Sequence, residues 1–180
     1  MKKLLFLLLI TFTLSCCNND NNPFSGSDQL PAETQTGANT AGCLINGQVF
    51  IPHQEGLTPE LQCNYEFIDG QFYFTFRFSD FRNGEAKSVM LQSKKTTLQV
   101  NETYLLNKNM LDNGDFMGAG GMYLPTPSNI FYTNTIKTGE LKITHLDLSN
   151  SIISGTFWFD SENSAGETVQ IRSGRFDMHY

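Results

Sequence analysis

Helical periodicity, long apolar runs, positive charge and histidine are all scarce in this chain of 180 residues. Each scarcity excludes something. No window sustains a 3.6-residue apolar period, which removes helix bundles and alternating βα folds. No apolar stretch reaches the roughly 18 residues that mark a membrane-spanning helix. Only 12 Lys and Arg stand against 18 Asp and Glu, a formal charge of −6 and a pI ≈ 4.9. Phosphate-backbone attraction therefore has little to act through, and nucleic acid is not expected as a partner. Nucleophile elbow, phosphate loop, dinucleotide fingerprint, zinc-protease helix and EF-hand loop are all missing, each of which needs fixed spacing for a mechanical reason. No catalytic residue, no metal ligand and no cofactor is assigned, and the chain is read as non-enzymatic.

What is present begins with an address. Residues 1–15 read MKKLLFLLLITFTLS, with Lys2 and Lys3 ahead of an apolar run from Leu4 to Leu14. That is the pattern of an export signal, too short to stay as a span. It ends on Ser15-Cys16-Cys17-Asn18, a small residue followed by cysteine, which resembles the lipobox of bacterial lipoproteins. Cys16 is the expected lipid-bearing residue. The competing register makes Cys17 the anchor, with Leu14 three positions before it. Acyl chains at about 0.8 kcal/mol per buried CH₂ would hold the mature chain to a membrane without crossing it. The expected location is the cell envelope, as an outer-membrane lipoprotein facing either the periplasm or the outside. Without residues 1–15 the chain keeps 10 basic and 18 acidic residues, so the exported form is distinctly acidic.

Residues 16–29 carry Asn, Asp, Ser, Gly and Pro around a lone Phe24 and read as a flexible tether. A single domain is expected over 30–180. An oxidising compartment makes Cys43 and Cys63 a disulfide candidate, with two buried thiols as the alternative. His53, His145 and His179 each have a carboxylate close in sequence, Glu55, Asp147 and Asp177. On a strand, His145 and Asp147 share a face, as do Asp177 and His179, yet solvent-facing His paired with its neighbour is the commoner arrangement. Asp112-Asn113-Gly114-Asp115 crowds its acids too closely for a calcium loop and reads as a solvated turn.

The apolar pattern has a period of two. Cys63 to Ser79, CNYEFIDGQFYFTFRFS, alternates on both sides of Asp69-Gly70, a dipeptide suited to a type I′ turn. Pairing Ile68 with Gln71 puts Cys63, Tyr65, Phe67, Phe72, Phe74, Phe76 and Phe78 on one face, which reads as core. Asn46-Gly47 predicts a second hairpin within 42–52. Further strands are expected at Ser88–Gln92, Leu98–Val100, Tyr104–Leu106, Ile130–Tyr132, Leu141–Leu148, Ile152–Asp160, Glu167–Ile171 and Arg175–Met178. Leu141 and Ile143 fall out of phase with Leu146 and Leu148, and a bulge near Thr144-His145 would reconcile them. One helical turn is placed at Thr58–Leu61. The fold class is an all-β antiparallel sandwich or barrel-like domain.

Two features point to binding. Trp158 alternates out of phase with Phe157 and Phe159 and so faces away from the core unless a second layer covers it; tryptophan is enriched at interaction hot spots. Met117 to Tyr123, MGAGGMY, reads as a glycine-rich loop in an irregular stretch from Asn107 to Asn129, with Tyr123 a second candidate for a binding surface.

LPAETQTGANTAGCLINGQVFIP at 30–52 and SGTFWFDSENSAGETVQIRSGRFD at 154–177 resemble the terminal signatures of an uncharacterised family of Bacteroidetes lipoproteins, a domain of unknown function. The resemblance implies that Leu30–Thr40, a linker by composition, belongs to the domain. It carries over no functional residue. The expected activity is binding of a protein, glycan or small molecule by a lipid-anchored module. The alternatives are a calycin-like carrier of an apolar ligand in an aromatic interior, or an envelope hydrolase with no recognisable motif.

Overall fold

The computed structural model describes residues 29–112 and 115–180. The export signal, Cys16, Cys17 and the tether up to residue 28 lie outside the described residues, as do Asn113 and Gly114.

The described chain forms eleven strands, β1 Thr40–Ile45, β2 Gln48–Phe50, β3 Leu61–Ile68, β4 Gln71–Asp80, β5 Lys87–Lys94, β6 Thr103–Leu106, β7 Gly118–Thr126, β8 Asn129–Tyr132, β9 Gly139–Asp147, β10 Ile152–Glu162 and β11 Thr168–His179. One 3₁₀ turn occupies Arg82–Gly84. All strands join one sheet in the order β2-β1-β11-β10-β9-β6-β7-β5-β4-β3, with β8 bridging β7 and β10. Every pairing is antiparallel except β6 with β7, which run parallel at Leu106 and Ala119. Among the described residues no helix is long and apolar enough to cross a membrane.

The sheet curls on itself. Strands far apart in the order meet through their rings: Phe76 of β4 lies 4.6 Å from Phe176 of β11, and Phe50 of β2 lies 5.5 Å from Phe78 of β4. The chain after β2 then hydrogen-bonds to the end of β4, His53 N donating to Ser79 O and Phe81 N to His53 O, both at 3.0 Å. A twisted sheet of this width closes in this way when one face is continuously apolar. Phe74, Phe76, Phe78, Leu91, Leu141, Ile143, Ile153, Phe159 and Ile171 are all fully buried, each worth about 1.5–3 kcal/mol of transfer free energy.

The two turn dipeptides behave as their chemistry requires. Asn46 and Gly47 have φ of 49° and 83°, Asp69 and Gly70 of 49° and 80°, both residues left-handed as a type I′ turn demands. The β3–β4 register pairs Ile68 with Gln71, Phe67 with Phe72 and Cys63 with Phe76. The bulge in β9 falls on Thr144, which is skipped as Ser154 pairs with His145 and Gly155 with Ile143. Leu146 thereby packs on the core alongside Leu141 and Ile143.

Several expectations are corrected. The turn before β3 is not helical; Leu61 already pairs with Phe78. Phe67, beside the hairpin turn, is 63% exposed, because the curl leaves the hairpin tip beyond the opposing strands. Leu98–Val100 is no strand, yet Leu98 is buried, its N–H donating to Tyr65 Oη at 3.0 Å. The separate strands at 167–171 and 175–178 are one strand, β11, bulged where Phe157 pairs with Gly174 and Phe159 with Ile171.

Candidate functional site

The outer face of β6, β9, β10 and β11 carries two rows of side chains dictated by register. One row runs Thr103, Lys142, Thr156, Arg175 and the next Leu105, Glu140, Trp158. Paired residues share a face, so these side chains stand together on the surface. Opposite Trp158 the bulge in β11 places two residues, Arg172 and Ser173, where a regular ladder would place one. Ser173 has φ of 52°, the left-handed backbone such bulges use. The extra residue aims Arg172 at Trp158 and Asp160 while Ser173 stays beside the indole.

Trp158 is 37% exposed and remains uncovered. It is held from two sides. Its Nε1 donates to Glu140 Oε2 at 3.2 Å, and the Arg172 guanidinium lies 5.3 Å from the ring centroid, a cation–π geometry. Arg172 is itself fixed by Asp160 Oδ1 at 2.5 Å and by the carbonyls of Phe159 and Ile171. The indole walls an open groove of about 410 Å³ whose other lining includes Glu33, Thr103, Glu140, Lys142, Thr156, Ser173 and Arg175. Arg175 Nη1 approaches Glu33 Oε1 at 3.9 Å and donates to Pro31 O at 3.3 Å.

On the same face, on the side of the Thr156–Arg175 row away from Trp158, the arrangement is different. Asp177 pairs with Ser154 across the β10–β11 ladder and is 1% exposed. Its two oxygens accept from Thr34 Oγ1 at 2.6 Å, Gly37 N at 2.8 Å, Ser154 Oγ at 2.8 Å, Thr36 N at 3.0 Å and Ala38 N at 3.1 Å. Burial, the largest single influence, pushes its pKa up, but the donors together outweigh it and hold the carboxyl well below the usual carboxylate range. Residues 34–38, which read as linker by composition, are thus bound to the last strand.

Tyr123 is not a surface residue. Gly118–Thr126 is β7, paired along its length with β5, and Tyr123 is 9% exposed, its ring 6.3 Å from Phe50 and 6.1 Å from Phe131. The glycines that suggested a loop are there because neighbours press on the backbone: a Cβ on Gly120 would fall 2.4 Å from Lys108 O, and one on Gly121 2.9 Å from Phe159.

Cys43 and Cys63 are free thiols, on β1 and β3 at opposite ends of the strand order. Burial pushes both pKa values up, that of Cys63 to about 12, so neither is reactive as a thiolate. The His and carboxylate pairs do not converge. Asp177 turns to residues 34–38, His179 packs over Gly37, and Asp147 accepts from the backbone of Ser149 and Asn150. Among the described residues no group of three His, Cys, Asp or Glu is placed to hold a metal. Asp112 accepts from Asn109 Nδ2 and Asp115 from Lys95 Nζ; the residues between them lie outside the described set. The interior between β4 and β11 is filled by stacked rings, Phe74, Phe76 and Phe157 each within 6.5 Å of Phe176. An apolar ligand would have to displace them.

The groove was half legible. Alternation set Trp158 outward, but its partners Glu140, Lys142 and Arg175 lie 16 to 18 positions away in sequence and meet it only through strand pairing.

The family model for a domain of unknown function, DUF6252, matches residues 83–178. The chain belongs to that family. The match takes in β5 to β11 almost entirely, with the whole Trp158 face except Glu33. Comparison with curated proteins and with solved structures gave no match.

Proposed function

We propose that this protein is a non-enzymatic binding module of the bacterial cell envelope, lipid-anchored through Cys16 or, in the alternative register, Cys17, which presents the Trp158 groove to its ligand. The observation that carries the binding role is the indole itself: it is exposed, clamped between Glu140 and Arg172, and set in a concave groove of mixed polar and apolar lining. A tryptophan immobilised before its ligand arrives loses little conformational entropy on binding. Anchoring rests on the export signal and the cysteine pair that follows it. The filled interior speaks against a carrier of apolar ligands.

The test of anchoring is palmitate labelling of the full chain in a Gram-negative host, with Cys16→Ser and Cys17→Ser compared. Loss of label in Cys16→Ser alone supports the first register, loss in Cys17→Ser alone the second, and label in neither parent nor variants overturns the anchor. Protease accessibility of intact against permeabilised cells then separates an outward from a periplasmic face. The binding role is tested by Trp158→Ala, which should abolish capture of the partner while leaving the folded chain intact.

A further inference from the structure

We propose that the Trp158 groove is a saccharide site, taking one or two rings of an uncharged glycan; this deepens the binding-module reading and rests on it. The groove leaves polar groups without partners among the described residues. Glu33 and Arg175 face each other, and one oxygen of Glu140 is taken by the indole. The hydroxyls of Thr103, Thr156 and Ser173 and the ammonium of Lys142 line the same groove and make no hydrogen bond or ion pair among the described residues. Three hydroxyls, one ammonium and a free carboxylate oxygen thus converge on a space walled by a fixed indole.

That set selects a ligand chemistry. An apolar ligand would desolvate charged groups without satisfying them, at a cost of several kcal/mol for each. A polyanion would meet two carboxylates, with Lys142 the single cation in the groove not already paired among the described residues. A pyranose suits both parts of the site. Its C–H bonds carry slight positive charge toward the electron-rich face of the indole. Its hydroxyls donate and accept at once, as the Thr and Ser hydroxyls, Lys142 and Glu140 require. Arg172 does not line the groove, so the guanidinium backs the ring from outside it. The groove's 410 Å³ lies at the lower end of the roughly 300–1,000 Å³ of small-molecule sites, which limits the ligand to a short segment.

The test uses a convenience of composition: Trp158 is the sole tryptophan of the chain, so emission excited at wavelengths that its six tyrosines do not absorb reports this groove alone. Neutral tetrasaccharides of β-linked glucose, mannose and N-acetylglucosamine are titrated beside a glucuronate-containing tetrasaccharide. The proposal expects a saturable change in emission with at least one neutral sugar and a loss of about fivefold or more in affinity for Thr156→Val and for Lys142→Met, two exposed-face changes that leave the core untouched. Binding of the glucuronate sugar only overturns the uncharged class. No change with any sugar at about 5 mM, the range of weak single-site binding, overturns the saccharide site. Replacing Lys142 with a photo-crosslinking amino acid in cells separates the two readings: crosslinks to an envelope protein with no sugar response would sink the saccharide inference and keep the binding module, whereas silence in both assays overturns both.

Discussion

Two parts of one sheet face treat their polar groups in opposite ways. At Asp177 a buried carboxylate is surrounded by donors from residues 34–38 and Ser154, and nothing is left over. Around Trp158 on the same face, hydroxyls and an ammonium stand in a groove with no partner among the described residues. The same terminal strand, β11, serves both. Saturated polar groups hold a chain in place, because each donor removed would strand the charge it serves. Unpaired groups at a concave surface contribute nothing to folding and remain available to a ligand. The N-terminal segment sets the contrast: residues 34–38 cover Asp177, while Glu33 only edges the groove.

The comparison breaks most severely at Asp177. Asp177→Ala leaves six donors, the Thr36 hydroxyl among them, without their acceptor and is expected to cost about 3 kcal/mol or more, read as a fall in the urea midpoint. Cleavage of residues 30–39 by a protease should accompany it. Equal stability of the variant and the parent would show that the segment is held by something else.

Acid is the next lever. Because the folded-state pKa of Asp177 lies below its ordinary value, its contribution is complete above the unfolded-state pKa of about 4 and is lost as pH falls from there toward the folded value. Urea midpoints should therefore be flat in this contribution from pH 7 to 5 and decline below 4. Asp177→Asn should flatten that decline.

Removing one donor at a time sharpens the same point. Ser154→Ala and Thr34→Val are each expected to cost about 1–2 kcal/mol, and their effects should not add to the loss in Asp177→Ala, since they serve the same carboxylate. The smallest stability effect belongs to the groove. Trp158→Ala removes a partly exposed ring and should change stability by about 1 kcal/mol or less, while abolishing ligand binding read by calorimetry, which does not need the indole as reporter. A large loss of stability there would make Trp158 a structural residue and undo the contrast.

How far the sequence was readable follows from the range of each interaction. The β3–β4 hairpin was legible to the residue because alternation and Asp69-Gly70 act within a few positions. The Thr144 bulge was legible because an out-of-phase pair of leucines demanded it. β7 was not. Its glycines look like a loop and are instead the only residues that fit under Lys108 and Phe159, a constraint set by partners distant in the chain. Leu98 was assigned to a strand for its hydrophobicity but is buried from an irregular segment. Alternation puts Trp158 off the core face but does not say whether a second layer covers it, and none does; Tyr123, the other candidate, belongs to the core.

Composition and period-two alternation alone determined an acidic, all-β chain with two type I′ hairpins, since charge balance, turn preference and strand period are local properties. Tertiary structure alone decided that the sheet would curl, that β7 would be a strand, that Cys43 and Cys63 would stay apart and that Asp177 would bind residues 139 to 143 positions earlier. It also gathered the Trp158 groove, because side chains on four strands become neighbours only when the register of three pairings is set.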